Sequence, residues 1–334
     1  MEKRRDVTID IAKGIGIILV VFSHLTFNGQ MQRILVHSFN MPLFFIISGY
    51  LFKEKKLKEV FKKGIKSYII PAYILLLVDI VKECIMQKSI FIFDNFFEFL
   101  KTITLSGGVM GNSPLWFLPT IFVVLIIYTA LKNERNRYIF AIFSIILSLF
   151  LRINIDAYLW ILCVIYAFPF YTIGNIIKKK NIVKSKQENQ KLTILSMIIE
   201  ILLLGIFASF NGYTSMIEQI FGKSYLIFLI TGIIGTILVI DISFMLRKIE
   251  IGKVLGKIGQ NTIIILLTHY YICRAIIPWL LQKINLYHYQ ENIIMQIILT
   301  GIILIGYMVL LYIIDNIKRR REDGKISNDN YTCI

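Results

Sequence analysis

The sequence reads as an all-α, polytopic transmembrane helix bundle of about ten spans with both termini in the cytoplasm. Composition is the first reason: 56% of the 334 residues are hydrophobic and the mean hydropathy is +0.69, above the roughly 45–50% apolar content of soluble domains. Patterning is the second. Continuous, non-alternating apolar runs recur along the chain, which excludes a β-barrel. Charge placement is the third. Of 37 Lys and Arg, 28 fall on segments that alternate to one side of the spans, and only eight, Lys13 aside, fall on the other. That sorting is the positive-inside pattern. It also removes the nucleic-acid reading that a net charge of +16 would suggest for a soluble protein.

In order, the spans are read at 9–29, 36–52, 65–85, 114–131, 138–152, 157–177, 192–210, 224–245, 262–281 and 292–315. Residues 1–317 form the membrane domain, and 318–334 a basic, then polar cytoplasmic tail expected to fray. The first span is too long for a signal peptide and is not followed by a small-residue cleavage site. Gly14 and Gly16 lie inside it and precede no Rossmann unit, so they are packing positions. Cys84, Cys163, Cys273 and Cys333 have no metal-binding spacing and read as packing or incidental thiols, and no metal site is expected.

The first span holds the densest chemistry. Asp10, Lys13 and His24 interrupt an apolar run, although a charge at mid-bilayer costs about 2.5–3.5 kcal/mol on insertion scales. Lys13 and His24 stand three helical turns apart on one face, separated by roughly 16 Å along the axis. Asp10 lies one turn before Lys13 and can pair with it. The second span opens with His37, Asn40, Phe44 and Ser48 on one helical face and contains Pro42 and Ser48-Gly49. These residues make either a kinked polar packing seam or one wall of a cavity shared with His24. Segment 106–119 is glycine-rich and carries Asn112, Ser113 and Trp116. It is either a re-entrant turn lining a cavity or a loop whose Trp anchors at the interface. Residues 91–100 resemble an interfacial amphipathic helix. His269 lies inside the ninth span, as a core histidine or a further cavity residue. Asp79 is expected to pair with Lys82 one turn on, and Asp241, near a cytoplasmic end, to be solvated.

Four patches in order, DIAKGIGIILVVFSH, FNMPLFFIISGYLF, SPLWFL and LGKIGQNTIIILLTH, give a resemblance to the membrane acyltransferase-3 family, close to its fucose 4-O-acetylase-like branch. The resemblance spans nearly the whole chain. It implies transfer of an acyl group, usually acetyl, from a cytoplasmic donor such as acetyl-CoA to a hydroxyl of an extracytoplasmic or lipid-linked glycan at the plasma membrane. No bound cofactor and no nucleic acid are implied. The basic residue of the first patch, often Arg in relatives, is Lys13 here, which keeps the charge but not the planar fork. The second patch commonly reads Phe-His-Met-Pro, and here that His is Asn40. Asn hydrogen-bonds but shuttles no proton at neutral pH, which leaves His37, one turn earlier, as its substitute.

An alcohol needs a general base in the transition state, and a neutral imidazole in an apolar span suits that role, so His24 is the expected base. The oxyanion that develops on the thioester needs fixed donors, for which Asn112, Ser113 and Trp116 are the candidates. Lys13, nearer the cytoplasm, either binds a donor phosphate or pairs with Asp10. The rival reading is an exporter or flippase of a surface polysaccharide or lipid-linked oligosaccharide, for which intramembrane Asp, Lys and His also serve. Concentration of the ionisable groups in the first two spans favours a localised site instead.

Overall fold

A computed structural model describes residues 6–26, 30–87, 113–150, 160–183, 189–286 and 289–331. Helix α1 (Val7–His24) starts at an Asp6 cap, whose side chain accepts from the Thr8 and Ile9 amides at 3.1 and 3.4 Å. This satisfies two of the amides a helix start leaves free. α2 (Met31–His37) and α3 (Asn40–Tyr50) follow, then α4 (Leu57–Gly64), a π-helical turn (Ile65–Ile69) and α5 (Ile70–Gln87). A 3₁₀ turn (Ser113–Trp116) leads into α6 (Phe117–Ala130), followed by α7 (Glu134–Phe150), α8 (Trp160–Lys179) and α9 (Gln190–Asn211). A two-stranded hairpin, β1 (Thr214–Ser215) and β2 (Ile220–Phe221), turns the chain into α10 (Tyr225–Leu246). α11 (Glu250–Gln260) and α12 (Thr262–Tyr271) come next, then a second π turn (Ile272–Ile276), α13 (Ile277–Lys283) and α14 (Ile293–Tyr331).

Among the described residues, seven helical stretches are long and apolar enough to cross a bilayer: Val7–His24, Leu57–Lys82, Trp160–Lys179, Gln190–Asn211, Tyr225–Leu246, Thr262–Lys283 and Ile293–Ile317. Each overlaps a span read from the sequence. The other three read spans coincide with shorter helices, α3, α6 and α7, of 11, 14 and 17 residues. The second read span is not one continuous helix. The chain breaks at Ser38 and Phe39, and Pro42 sits in the first turn of α3, where its missing N–H costs nothing. The face from His37 to Ser48 therefore crosses a break rather than a kink. Both π turns precede a proline by one or two residues, Pro71 and Pro278. A proline removes one bond of the helical ladder, and a locally wider turn accommodates the loss.

α1 is the hub. It packs against α3, α10, α11 and α12, and its face toward them is buried from Ile9 to Val21. Close approach comes from small residues. A Cβ on Gly49 would strike the Tyr171 carbonyl, and one on Gly174 the Ile46 carbonyl, so α3 and α8 touch backbone to backbone. Gly14 does the same against Leu255 of α11, so its packing role is met.

The end of the bundle bearing residues 53–66 is basic. There the fully buried Arg137 clamps three elements. Its guanidinium donates to both Glu54 carboxylate oxygens at 2.6 and 3.2 Å and to the Tyr128 and Leu131 carbonyls, and it stacks over the Tyr128 ring. Lys179 pairs with Glu134 on the same end and, together with the Tyr138 hydroxyl, holds that carboxyl below the usual range. Two expectations are corrected. Asp241 is fully buried rather than solvated. The last helix continues to Tyr331 where a frayed tail is expected. The buried Asp79 accepts from the Tyr271 hydroxyl, and Lys82 lies over the same ring at 5.6 Å. Residues 91–100 and Asn112 lie outside the described residues.

Candidate active site

The stripe on α1 holds in three dimensions. His24 and Val20 line a cavity of about 80 Å³ at the end of the bundle opposite the basic loop, while Ile17 and Lys13 line a second of about 230 Å³ deeper in. Successive spacings of four, three and four residues keep these side chains on one helical face. Leu266 of α12 lines both cavities. A third, of about 350 Å³, opens among Lys53, Lys55 and Lys63, and shares Ser48, Leu51, Tyr68 and Ile121 with the second. The three thus follow one another along the bundle, from the basic end past Lys13 to His24, with Leu266 standing between the last two. Ser67 and Tyr68, on the first π turn, face the largest of them.

Around His24 the sequence candidates converge. His37, Asn40 and Trp116 line the same cavity. Trp116 is buried against Phe45 and Phe117 rather than set at an interface. The break between α2 and α3 is what lets His37, at the end of one helix, and Asn40, at the start of the next, face one space. The His37 Nδ1 lies 3.1 Å from the Thr214 carbonyl and its Nε2 is buried without a hydrogen-bond partner. Asn40 spends its side-chain oxygen on the Met41 amide at 2.7 Å, a helix-start contact that leaves it no base function.

His269 stands behind His24 and does not line the cavity. The two rings are 5.0 Å apart, centroid to centroid, and Tyr270 meets His24 edge-on at 5.4 Å. His269 is fully buried, with Nδ1 2.8 Å from the Ile265 carbonyl and Nε2 unpartnered. A carbonyl can only accept, so Nδ1 carries the proton and Nε2 is left as an acceptor.

Of the remaining candidates, Lys13 pairs with Asp10 at 2.7 Å, and Gln260 also donates to Asp10 at 3.4 Å. Asp10 is buried and lines none of the three cavities, so only Lys13 of this pair faces open space. Ser113 opens the 3₁₀ turn that carries Trp116.

A histidine cavity thus lies toward one end of the bundle and a cavity lined by basic groups at the other. A family model described as an acyltransferase domain matches residues 6–313. The chain belongs to that family, acyltransferase-3. The protein is therefore a multi-pass membrane acyltransferase, passing groups other than aminoacyl groups. No curated protein and no solved structure matches the chain.

The acyltransferase closes its His24 cavity with residues that sequence reasoning missed. The segment from Tyr213 to Glu218 supplies six of the lining residues, and Arg33 of α2 another. Asn211 anchors the hairpin from both sides, donating to the Phe221 carbonyl and accepting from the Ser224 amide, while Gly212 turns at φ 83°. The Asn-Gly pair between two apolar runs was a legible turn signal. What the turn covers was not.

Proposed function

We propose that this acyltransferase moves an acetyl group from cytoplasmic acetyl-CoA to a hydroxyl of an extracytoplasmic or lipid-linked glycan, with His24 as general base. The branch of the family nearest to this reading is the fucose 4-O-acetylase-like one. The single observation that carries it is the succession of cavities lined first by Lys53, Lys55 and Lys63, then by Lys13, then by His24. Under the orientation set by the basic loops, the lysine mouth faces the cytoplasm and His24 the outer leaflet. A bulky, anionic donor then stays at the mouth, where three lysines attract it. Its narrow pantetheine arm extends inward beside Lys13, and the thioester meets the acceptor at His24.

The chemistry follows. The neutral His24 imidazole takes the acceptor hydroxyl proton as the oxygen attacks the thioester carbonyl. The tetrahedral oxyanion collapses, the carbon–sulfur bond breaks, and the imidazolium returns its proton to the departing thiolate. One ester and one thiol result from one alcohol and one thioester. His37, with an open Nε2 in the same cavity, is placed to hold the acceptor hydroxyl. His269 backs the His24 ring at 5.0 Å between centroids and so limits how that imidazole can turn.

The test is the acetyl-ester content of the host's surface glycan, read by NMR, after gene deletion and complementation. His24→Ala at wild-type protein level is expected to lower O-acetylation by about 10²–10⁴-fold, the usual share of a general base. Normal acetylation with His24→Ala would overturn the assignment. Unmodified glycan present in reduced amount after deletion would favour export instead.

A further inference from the structure

The His24 cavity contains a buried cation that acyl transfer, as derived above, does not use. Arg33 is 6% exposed, and among the described residues no carboxylate forms an ion pair with it. One terminal nitrogen donates to the Thr26 carbonyl at 2.8 Å, and the guanidinium stacks over the Tyr213 ring at 5.7 Å. Its Nε is buried without a hydrogen-bond partner. Two more residues that line the cavity also carry a buried polar atom without a partner, the His37 Nε2 and the Thr214 Oγ1. Buried polar groups are normally satisfied, and three unsatisfied ones on residues around one small space point to a polar ligand there.

Charge decides the kind of ligand. A buried guanidinium that meets a neutral carbonyl and the ring and hydroxyl of Tyr213 is costly unless a counter-charge meets it. Its planar fork matches a carboxylate or a phosphate with two parallel hydrogen bonds. Glu218 also lines the cavity, but it is partly exposed and accepts from the Tyr213 hydroxyl at 3.3 Å. It opposes an anion from the side, and its carboxylate can take ring hydroxyls. A volume of about 80 Å³ admits a substituent and one edge of a sugar ring, not an oligosaccharide. Tyr213, tilted 36° against His37, offers the flat apolar surface along which the rest of such a ring lies.

We propose that Arg33 makes this cavity a subsite for an anionic group, a carboxylate or a phosphate, carried by the acceptor saccharide, so that the enzyme selects acidic glycans. The word acceptor rests on the acyl-transfer reading, but anion binding does not, and the test therefore measures binding. Full-length protein in phosphatidylcholine nanodiscs is titrated with methyl β-glucuronide, methyl β-glucoside 6-phosphate and uncharged methyl β-glucoside, using saturation-transfer NMR. At least one charged glycoside is expected to bind ten-fold or more tightly than the uncharged one, and which of the two does so names the anion. Arg33→Gln is expected to bring the charged-to-uncharged ratio close to one, and Arg33→Lys to leave an intermediate ratio. Glu218→Gln, which removes the opposing charge at a partly exposed position and leaves the Thr26 contact intact, is expected to tighten the charged glycoside about two- to three-fold. Equal binding of all three by wild type, an equal loss for all three with Arg33→Gln, or no gain with Glu218→Gln would overturn the proposal. Failure of the acyl-transfer reading would appear separately, as acetylation that survives His24→Ala.

Discussion

In the proposed reaction His24 takes the proton while His269 backs its ring. The Ile265 carbonyl fixes the His269 tautomer from inside its own helix, leaving an acceptor 5.0 Å, centroid to centroid, from the His24 ring. His269→Ala should therefore lower kcat with little change in acceptor KM, on the order of 10²-fold, as misplacement of a reacting group does. His269→Gln, whose amide oxygen can also accept, should recover part of that loss. Equal losses in both variants, or a loss confined to KM, would reduce His269 to a packing residue. At this scale the sequence was informative about identity and poor about neighbours. Residues that lipid penalises, His24, His37 and Lys13, stood out because apolar surroundings make them conspicuous. Arg33 did not, since it lies between spans where a basic residue looks ordinary.

Helix contacts in this bundle are set by absence of side chains as much as by their presence. α3 and α8 touch where Gly49 and Gly174 face opposing carbonyls, and membrane helices gain most of their association from such packing. Gly174→Leu should force the pair apart and cost more than the about 1–3 kcal/mol typical of overpacking, because backbone rather than side chain must move. The measurement is thermal unfolding in detergent, with Gly205→Leu as the control, since a Cβ there meets nothing within 4 Å. A Gly174→Leu protein as stable as that control would contradict the account. Ser48-Gly49 was recognisable as a small-residue contact, but its partner on α8 was not. The break at Ser38–Phe39 was also hidden. Pro42 announced a helix irregularity, yet a proline is tolerated both at a kink and in a first turn, and only packing decides between them.

Across the whole molecule, three cavities succeed one another from the basic end to His24, and Ser48 lines two of them. Ser48→Trp should plug that junction. Transfer from acetyl-CoA should fall at least ten-fold while a short thioester, N-acetylcysteamine acetate, supplied from the His24 side, still acylates the acceptor. Both donors failing together would show that the substitution disturbs the site itself, and both surviving would show that the donor arrives another way.

Taken alone, the sequence determined that this protein is helical and membrane-embedded, that its first span holds an unusual set of ionisable residues, and that four ordered patches resemble an acyltransferase family. Those properties are written locally, in hydropathy, helical period and the cost of charge in lipid. Tertiary structure alone decided that His24, His37, Asn40 and Trp116 share one cavity, that His269 backs His24 without lining it, and that a hairpin near residue 214 and Arg33 close the space. Such placements depend on which helix faces pair, and an apolar face carries no label naming its partner. They emerge only when glycine contacts and helix breaks fix how closely, and at what rotation, each helix meets the next.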